Sequence, residues 1–224
     1  MATVNPLSGS APASARPYGR LLVLLTSLPQ EKLASLLEKL AASIAAEELL
    51  IATSDEAAKS MRPDLQFVSA PTSKSSWTVS AEDFASAAQL AQVNNATTVL
   101  MLGPECDSLS QSSLRDLASA MAAPSVDLGV PRYDLPSRAG LLNSAILYPL
   151  SRALFASPVR FPLAVDLGLS GRMVEHLSVA AQRLMRVNQG GAFLWPASEA
   201  AAAGFTIREV DVGSRAVPGP RSRT

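Results

Sequence analysis

The chain has 224 residues, of which 48% are hydrophobic, so it is long enough to bury one sizeable core. Its 19 basic and 19 acidic residues leave no net charge, which excludes a general attraction to nucleic acid or to an anionic membrane. A single cysteine, Cys106, excludes an internal disulfide framework, and a single histidine, His176, excludes zinc sites built from several histidines.

No apolar run in the sequence is long enough to span a bilayer, and the N-terminus lacks a basic segment followed by an apolar block. We therefore expect a soluble, cytoplasmic protein without a transmembrane segment. Any metal ion would have to be bound by oxygen ligands.

Three regions are predicted along the chain. Residues 1–19 are small and polar and are expected to form a disordered leader, because they offer too little bulky apolar surface to offset the entropy of ordering. Residues 20–215 are predicted to form one domain, and residues 216–224 a flexible tail.

The first half of the domain alternates strand and helix patterns. Residues 20–28 form a continuous apolar run of the kind found in a strand buried on both faces, and a helical pattern follows from Leu33 to Ile44. Further strands are predicted at 48–55, 65–69 and 97–103, with a helix over 81–93 and a serine-capped helix after the fourth strand. This alternation predicts an α/β fold with a mainly parallel central sheet flanked by helices.

The second half is less regular. It is predicted to contain a strand at 126–130, a helix at 141–155 interrupted by Pro149, a long helix at 172–187, a strand at 193–195, a short helix at 197–203 and a strand at 205–212.

Polar clusters follow three of the predicted strands. They are Ser27 to Glu31 after the first strand, Ser54 with Asp55 after the second, and Glu105 with Asp107 after the fourth. In open parallel sheets ligands bind beyond the carboxyl ends of the strands, so these clusters are candidate binding residues.

The pair Glu105 and Asp107 is the sharpest of these clusters. Two hard oxygen ligands could hold Mg²⁺ or Mn²⁺, which would neutralise a diphosphate. A second interpretation, compatible with the first, is that Asp107 with Ser108 and Ser110 caps the next helix.

For Ser54 and Asp55 the alternative to ligand binding is again a helix N-cap. Lys74, in a serine-rich loop, could reach a diphosphate or could be a solvated loop lysine.

The segment from Pro131 to Gly171 carries an isolated carboxylate, Asp166, between apolar pairs. We expect Asp166 to carry the chemistry, with satisfaction by local backbone N–H groups as the alternative. A carboxylate in apolar surroundings is costly without a partner, so Arg152 or Arg160 is the expected counter-ion. Guanidinium groups suit bidentate binding of oxyanions, which makes Arg132, Arg152 and Arg160 candidates for binding an acceptor carboxylate or phosphate.

The order of these motifs resembles a known group. The residues that carry the likeness are the acidic triplet 105–107, V-P-R-Y at 130–133, L-N-S-A-I-L-Y-P-L-S-R-A-L-F at 142–155, V-R-F-P-L-A-V-D-L-G-L-S-G at 159–171 and residues 197–215. The chain resembles a GT-A glycosyltransferase, and within that fold it is most similar to the family 2-like enzymes related to mannosylglycerate and glucosyl-3-phosphoglycerate synthases. The resemblance covers residues 20–215.

The resemblance implies a nucleotide-diphospho-sugar transferase fold and a hexosyltransferase that uses an Asp-x-Asp motif to bind metal and donor diphosphate. Glu105 and Asp107 occupy the two acidic positions and would bind the divalent cation, Mg²⁺ or Mn²⁺. Asp166 matches the acidic residue of a P-I-G-G-D-F-G-L-S-G-like loop at the reaction centre. The nucleotide-sugar site would comprise Ser27, Glu31, Ser54, Asp55, Lys74, Glu105 and Asp107.

The chain departs from the family pattern at several positions. Glu105 replaces the usual Asp, Ala164 and Val165 replace two glycines, and Val217 replaces the histidine of a closing G-x-K/R-x-H pattern. The leading hypothesis is an active transferase of a sugar from a nucleotide-diphosphate donor to a small-molecule or glycan acceptor. The alternative is a catalytically inactive, glycosyltransferase-like binding or partner module. The sequence leaves open whether the chain forms a homo-oligomer.

Overall fold

The structure, a computed structural model, describes residues 20–25, 28–73, 78–135, 140–189 and 194–216. The predicted leader at 1–19 and all but the first residue of the predicted tail lie outside these ranges.

Seven strands of the described chain form one sheet. They are β1 (Leu21–Leu25), β2 (Leu49–Thr53), β3 (Gln66–Ser69), β4 (Thr98–Leu102), β5 (Leu128–Asp134), β6 (Leu167–Ser170) and β7 (Ile207–Ser214). Their spatial order is β3-β2-β1-β4-β6-β5-β7. Strand β6 runs antiparallel to both of its neighbours, and every other neighbouring pair is parallel. The prediction of an α/β fold with a mainly parallel sheet is confirmed.

Helices cover both faces of this sheet. They are α1 (Gln30–Ser43), α2 (Ala58–Met61), α3 (Ala81–Val93), α4 (Gln111–Ala120), α5 (Tyr148–Phe155), α6 (Gly171–Arg186) and α7 (Pro196–Ala203). A short 3-10 turn, Cys106–Ser108, precedes α4, and a π-helical segment, Asn143–Leu147, precedes α5. No helix in the described ranges combines the length and apolarity needed to cross a membrane.

The continuous apolar run of β1 is explained by burial on two sides. Leu22 and Leu24 pack in the core beneath α3 and α6, whereas Leu21, Val23 and Leu25 pack in the core beneath α1 and α4. Because successive side chains of a strand point to opposite faces, a strand covered by helices on both sides needs apolar residues at every position.

Serine side chains fix the starts of two helices near the edges of the sheet. Ser110 Oγ accepts a hydrogen bond from the Ser113 backbone N–H at 3.0 Å and caps α4. Ser170 Oγ accepts from the Met173 N–H at 3.3 Å and caps α6. The cap of α4 is therefore Ser110 alone, because Asp107 lies in the preceding 3-10 turn.

Most of the predicted elements are present, with shifts of up to four residues at their ends. Helix α3 coincides with the predicted residues 81–93. The interruption predicted at Pro149 is present as a change of helix type, because the π-helical segment Asn143–Leu147 continues directly into α5 just before this proline. The strand predicted at 193–195 is wrong for the residues described, because Trp195 precedes α7 as its N-terminal cap residue. Helix α2 and strand β6 were not predicted.

Strand β6 determines which residues lie beside the end of β4. Its pairing with β4 places Leu167 opposite Met101 in an antiparallel register. An antiparallel strand begins at the edge where its neighbour ends, so the residue before β6, Asp166, lies beside Gly103 after β4. A parallel strand would have placed Asp166 at the opposite edge.

Candidate active site

The Asp166 carboxylate is completely buried, with 0% of the residue exposed. Oδ1 accepts a hydrogen bond from the Gly103 backbone N–H at 3.0 Å, and Oδ2 accepts from the Tyr133 hydroxyl at 2.8 Å. The Arg215 guanidinium donates from Nε to Oδ2 at 2.6 Å and from its terminal nitrogen to Oδ1 at 3.3 Å. Both carboxylate oxygens are therefore occupied by donors from three different parts of the chain.

Arg215 is itself 8% exposed, and a terminal nitrogen also donates to the Pro104 carbonyl oxygen. Burial alone would lower the pKa of Arg215, but the Asp166 carboxylate outweighs it and the pKa lies above its ordinary value. Burial, together with the Asp166 charge, raises the pKa of Tyr133 well above its ordinary value, so the phenol keeps its proton and remains a donor. The pair Asp166–Arg215 is thus a fully formed buried ion pair.

This geometry corrects two expectations for Asp166. Its counter-ion is Arg215, and neither Arg152 nor Arg160 contacts it among the bonds that the structure shows. Its backbone donor is not local either, since Gly103 lies 63 residues earlier in the chain. The carboxylate has no exposed surface in this arrangement, and the catalytic role expected of Asp166 stays a prediction.

The acidic turn after β4 holds a lysine between its two carboxylates. Lys32, in the first turn of α1, donates a hydrogen bond from Nζ to Glu105 Oε2, and the same Nζ lies 3.7 Å from Asp107 Oδ1. Lys39 Nζ, further along α1, donates to the backbone carbonyl oxygens of Asp107 and Leu109, the latter at 3.1 Å. Hydrogen bonding to Glu105 raises the pKa of Lys32, so its ammonium stays charged at neutral pH.

The side chains present do not fit a resident divalent cation at this turn. Mg²⁺ demands near-octahedral oxygen coordination, and Lys32 already occupies the space between the Glu105 and Asp107 carboxylates. Within the described ranges no three His, Cys, Asp or Glu side chains cluster as metal ligands. Asp107 Oδ1 is buried and receives no hydrogen bond, so the 3.7 Å approach of Lys32 is the charge compensation shown for it.

Cys106 lies between Glu105 and Asp107 in the sequence, and it is 0% exposed. Burial, followed by the Asp166 charge, raises the pKa of its thiol well above the ordinary value. Because the thiolate is the reactive and metal-binding form, Cys106 is expected to be inert in the folded protein.

We predict that the native chain resists an aromatic disulfide reagent at pH 8, while the chain unfolded in urea reacts at its one thiol. The absorbance of the released thiolate measures the reaction, and a chain without reagent serves as the blank. Equal reaction rates in the native and unfolded chains would contradict the burial of Cys106.

The other residues predicted to bind the donor lie in different surroundings. Glu31 is exposed in the first turn of α1, and Ser54 is half-buried after β2. Asp55 Oδ1 accepts from the Ala57 backbone N–H at 2.9 Å, which forms a local turn before α2, but the N-terminal cap residue of α2 is Ala57, so neither Ser54 nor Asp55 caps this helix. Ser27 and Lys74 lie outside the described residues.

Two of the three predicted acceptor arginines line one open cleft. Arg132 and Arg160 share a cavity of about 620 Å³ with Tyr133 and Tyr148. The Arg160 guanidinium carbon lies 5.2 Å from the centre of the Tyr148 ring, and Arg152 donates to the Tyr148 hydroxyl at 3.1 Å. Arg132 forms an exposed ion pair with Asp211 at 2.5 Å. The structure therefore groups Arg132 and Arg160 around the cleft, with Arg152 behind Tyr148.

Five contributors to this edge were not assigned roles from the sequence: Lys32, Lys39, Gly103, Tyr133 and Arg215. Lys32 and Arg215 lie 73 and 49 residues from their carboxylate partners, so no local pattern connects them. One signal was available, since Arg215 is the basic residue that the chain retains from the closing G-x-K/R-x-H pattern.

No protein-family model matches the chain, and no curated protein matches it. Solved structures do match. Glucosyl-3-phosphoglycerate synthase from Mycobacterium tuberculosis, in complex with Mn²⁺ and UDP-glucose, aligns with a TM-score of 0.56 at 14% identity, over 90% of this chain and 72% of that chain. The chain has a GT-A fold. The predicted resemblance is confirmed at this level.

Two further matches agree with the first. The same synthase in complex with phosphoglyceric acid aligns with a TM-score of 0.56 at 13% identity, over 90% of this chain and 73% of that chain. A mycobacterial protein aligns with a TM-score of 0.57 at 13% identity, over 90% of this chain and 68% of that chain. Structural matches at identities this low show the GT-A fold alone, since a fold does not by itself fix an activity.

Proposed function

We propose that the chain is a glycosyltransferase that binds a nucleoside-diphosphate sugar and transfers the sugar to an acceptor with an anionic group. The observation that carries the proposal is that an acidic turn and an arginine-lined cleft lie at the same end of the sheet. The acidic turn at Glu105 and Asp107 follows β4, and the arginine-lined cleft lies at the end of β5. Tyr133 connects them, because it lines the cleft and donates to Asp166 beside the end of β4.

The donor is proposed to lie over the carboxyl ends of β1, β2 and β4, where ligands of open α/β sheets bind. The proposed donor-side residues are Ser27, Glu31, Ser54, Asp55, Lys74, Glu105 and Asp107. Transfer breaks the bond between the sugar and the diphosphate, so negative charge develops on the leaving group and needs a nearby cation. Lys32 is a cation next to the acidic turn that could serve this purpose.

The acceptor is proposed to lie in the cleft with its anionic group on Arg132 and Arg160. Structures of the M. tuberculosis synthase contain phosphoglyceric acid and glycerol 3-phosphate, which are small anionic compounds. A guanidinium matches the geometry of a phosphate or carboxylate, and Tyr148 braces Arg160 against the wall of the cleft. Asp166 acts here as a positioning residue, since it holds Tyr133 and Arg215 in place without touching a substrate.

Calorimetric titration of the full chain with UDP-, GDP- and ADP-sugars tests the donor half of the proposal. We expect one nucleotide class to bind, and a coupled assay to detect release of the nucleoside diphosphate when an anionic acceptor is added. Absence of binding by all three classes at millimolar concentration would remove the transferase function.

The arginine cleft makes a separate prediction. We expect Arg160→Gln to weaken binding of phosphoglyceric acid by about 10- to 100-fold, because it removes charge-assisted hydrogen bonds. Arg20→Gln is the matched control, since Arg20 precedes β1 and therefore lies at the opposite end of the strands from the cleft. Equal affinities of the two variants for the anion would place the acceptor elsewhere.

A second function, a catalytically inactive binding module of the same fold, is favoured by the closed state of Asp166 and by Lys32 within the acidic turn. This alternative predicts that a nucleotide sugar binds but is never consumed. Product analysis after prolonged incubation with donor and acceptor separates the two functions.

A further inference from the structure

Three carboxylates gather where β4 ends and β6 begins, and three cations compensate them. Asp166 pairs with Arg215, Glu105 pairs with Lys32, and Asp107 lies 3.7 Å from Lys32. Lys39 adds the third positive charge, because it binds the backbone of the turn at the carbonyl oxygen of Asp107. This cluster is neutral without any bound ion.

The two lysines belong to one rigid element. Lys32 and Lys39 lie seven residues apart, which is two turns of α1, so they project from the same side of the helix. Leu33, Leu36, Leu37 and Leu40 fix the helix against the sheet, and each is at most 2% exposed. The lysines are therefore directed at the acidic turn by the packing of the core.

A divalent cation at this turn would have to compete with that arrangement. It would need the Glu105 and Asp107 oxygens that face Lys32, and it would bring two positive charges beside two ammonium groups. An ammonium is a compact, hydrated point charge that can also meet a phosphate. Lys32 remains about one third exposed, with 36% of its side chain accessible, so an anion can reach it.

We propose that Lys32, supported by Lys39, is a built-in counter-ion that replaces the divalent cation at the acidic turn, so that this chain binds a nucleoside diphosphate without metal. The part that concerns the nucleotide rests on the proposed function. The part that concerns metal exclusion stands on the geometry of the turn alone.

Metal exclusion is tested by titrating the full chain with Mn²⁺ and following the electron paramagnetic resonance signal of the free ion. The wild-type chain is expected to leave this signal unchanged, whereas Lys32→Gln is expected to bind Mn²⁺ about tenfold or more tightly than wild type, because it frees two carboxylates from an adjacent charge. Lys32→Arg keeps the charge and is expected to behave as wild type.

Two controls assign any binding to this turn. Lys59→Gln removes an exposed lysine of α2 and is expected to leave Mn²⁺ binding as in wild type. Adding Asp107→Asn to Lys32→Gln is expected to abolish the gained affinity. Binding of Mn²⁺ by the wild-type chain that Asp107→Asn removes would overturn the proposal, and so would equal affinity of wild type and Lys32→Gln.

The nucleotide part is tested by titrating UDP, GDP and ADP into the full chain with EDTA and again with Mn²⁺. The affinity of the nucleotide that binds is expected to agree within about twofold between the two conditions, whereas a tenfold gain with Mn²⁺ would overturn metal-free binding. If no nucleotide binds in either condition, the proposed function fails, and the Mn²⁺ titrations still decide whether Lys32 is the counter-ion.

Discussion

Replacing Asp166 with alanine is expected to lower the free energy of unfolding by about 3–5 kcal/mol, because the Arg215 guanidinium would remain buried without its partner. The Tyr133 hydroxyl and the Gly103 N–H would lose their acceptor at the same time. Urea unfolding followed by circular dichroism measures the change.

A double-mutant cycle separates the ion pair from the loss of a side chain. Asp166→Ala combined with Arg215→Met is expected to cost less than the sum of the two single changes, since no buried charge is left unpaired. The exposed pair Arg132–Asp211 is the matched control, and Asp211→Ala is expected to leave the urea midpoint close to that of wild type, because solvent screens an exposed pair. Additive single changes in the buried pair would show that its charges are not coupled.

Gly103→Ala is expected to destabilise the chain by about 1–3 kcal/mol through overpacking. A Cβ at this position would lie 2.6 Å from Val165 Cβ and 3.0 Å from the Val165 carbonyl oxygen, and neither atom can move without shifting Asp166. Val165→Gly on the same background is expected to recover part of the loss, because it removes the side chain that meets the new Cβ.

Gly140→Ala provides the control for the glycine change. A Cβ there would meet nothing within 4 Å, so the substitution is expected to alter stability by no more than about 0.5 kcal/mol. Equal urea midpoints for Gly103→Ala and Gly140→Ala would mean that the end of β4 is not packed against Val165. The outcome also bears on the sequence departure at Val165, since that side chain occupies the space that a glycine would leave open.

The sheet was predictable where burial leaves a pattern in the sequence. The run Leu21 to Leu25 is apolar at every position because helices cover both of its faces, and α3 repeats its buried residues at helical spacing. Strand β6 carries no such pattern. It has four residues, one of them Gly168, and its place between β4 and β5 is fixed by pairing with strands far away in the sequence.

The candidate site, too, was predictable only in part. The rule that ligands bind at strand ends placed Glu105 and Asp107 correctly after β4, because it needs only the order of elements. The counter-ion of Asp166 could not be inferred in this way. Arg152 and Arg160 are nearer along the chain, but β7 pairs with β5 and therefore delivers Arg215 to the edge where Asp166 lies.

The antiparallel pairing of β4 and β6 also limits how this edge can move. Gly103 follows one strand of the pair and Asp166 precedes the other, so their separation is set by a ladder in the middle of the sheet. A hinge between them would have to break that ladder, which is among the last parts of a protein to open. Access to Asp166 would therefore require Arg215, which follows the outermost strand β7, to swing away while the two strands remain still.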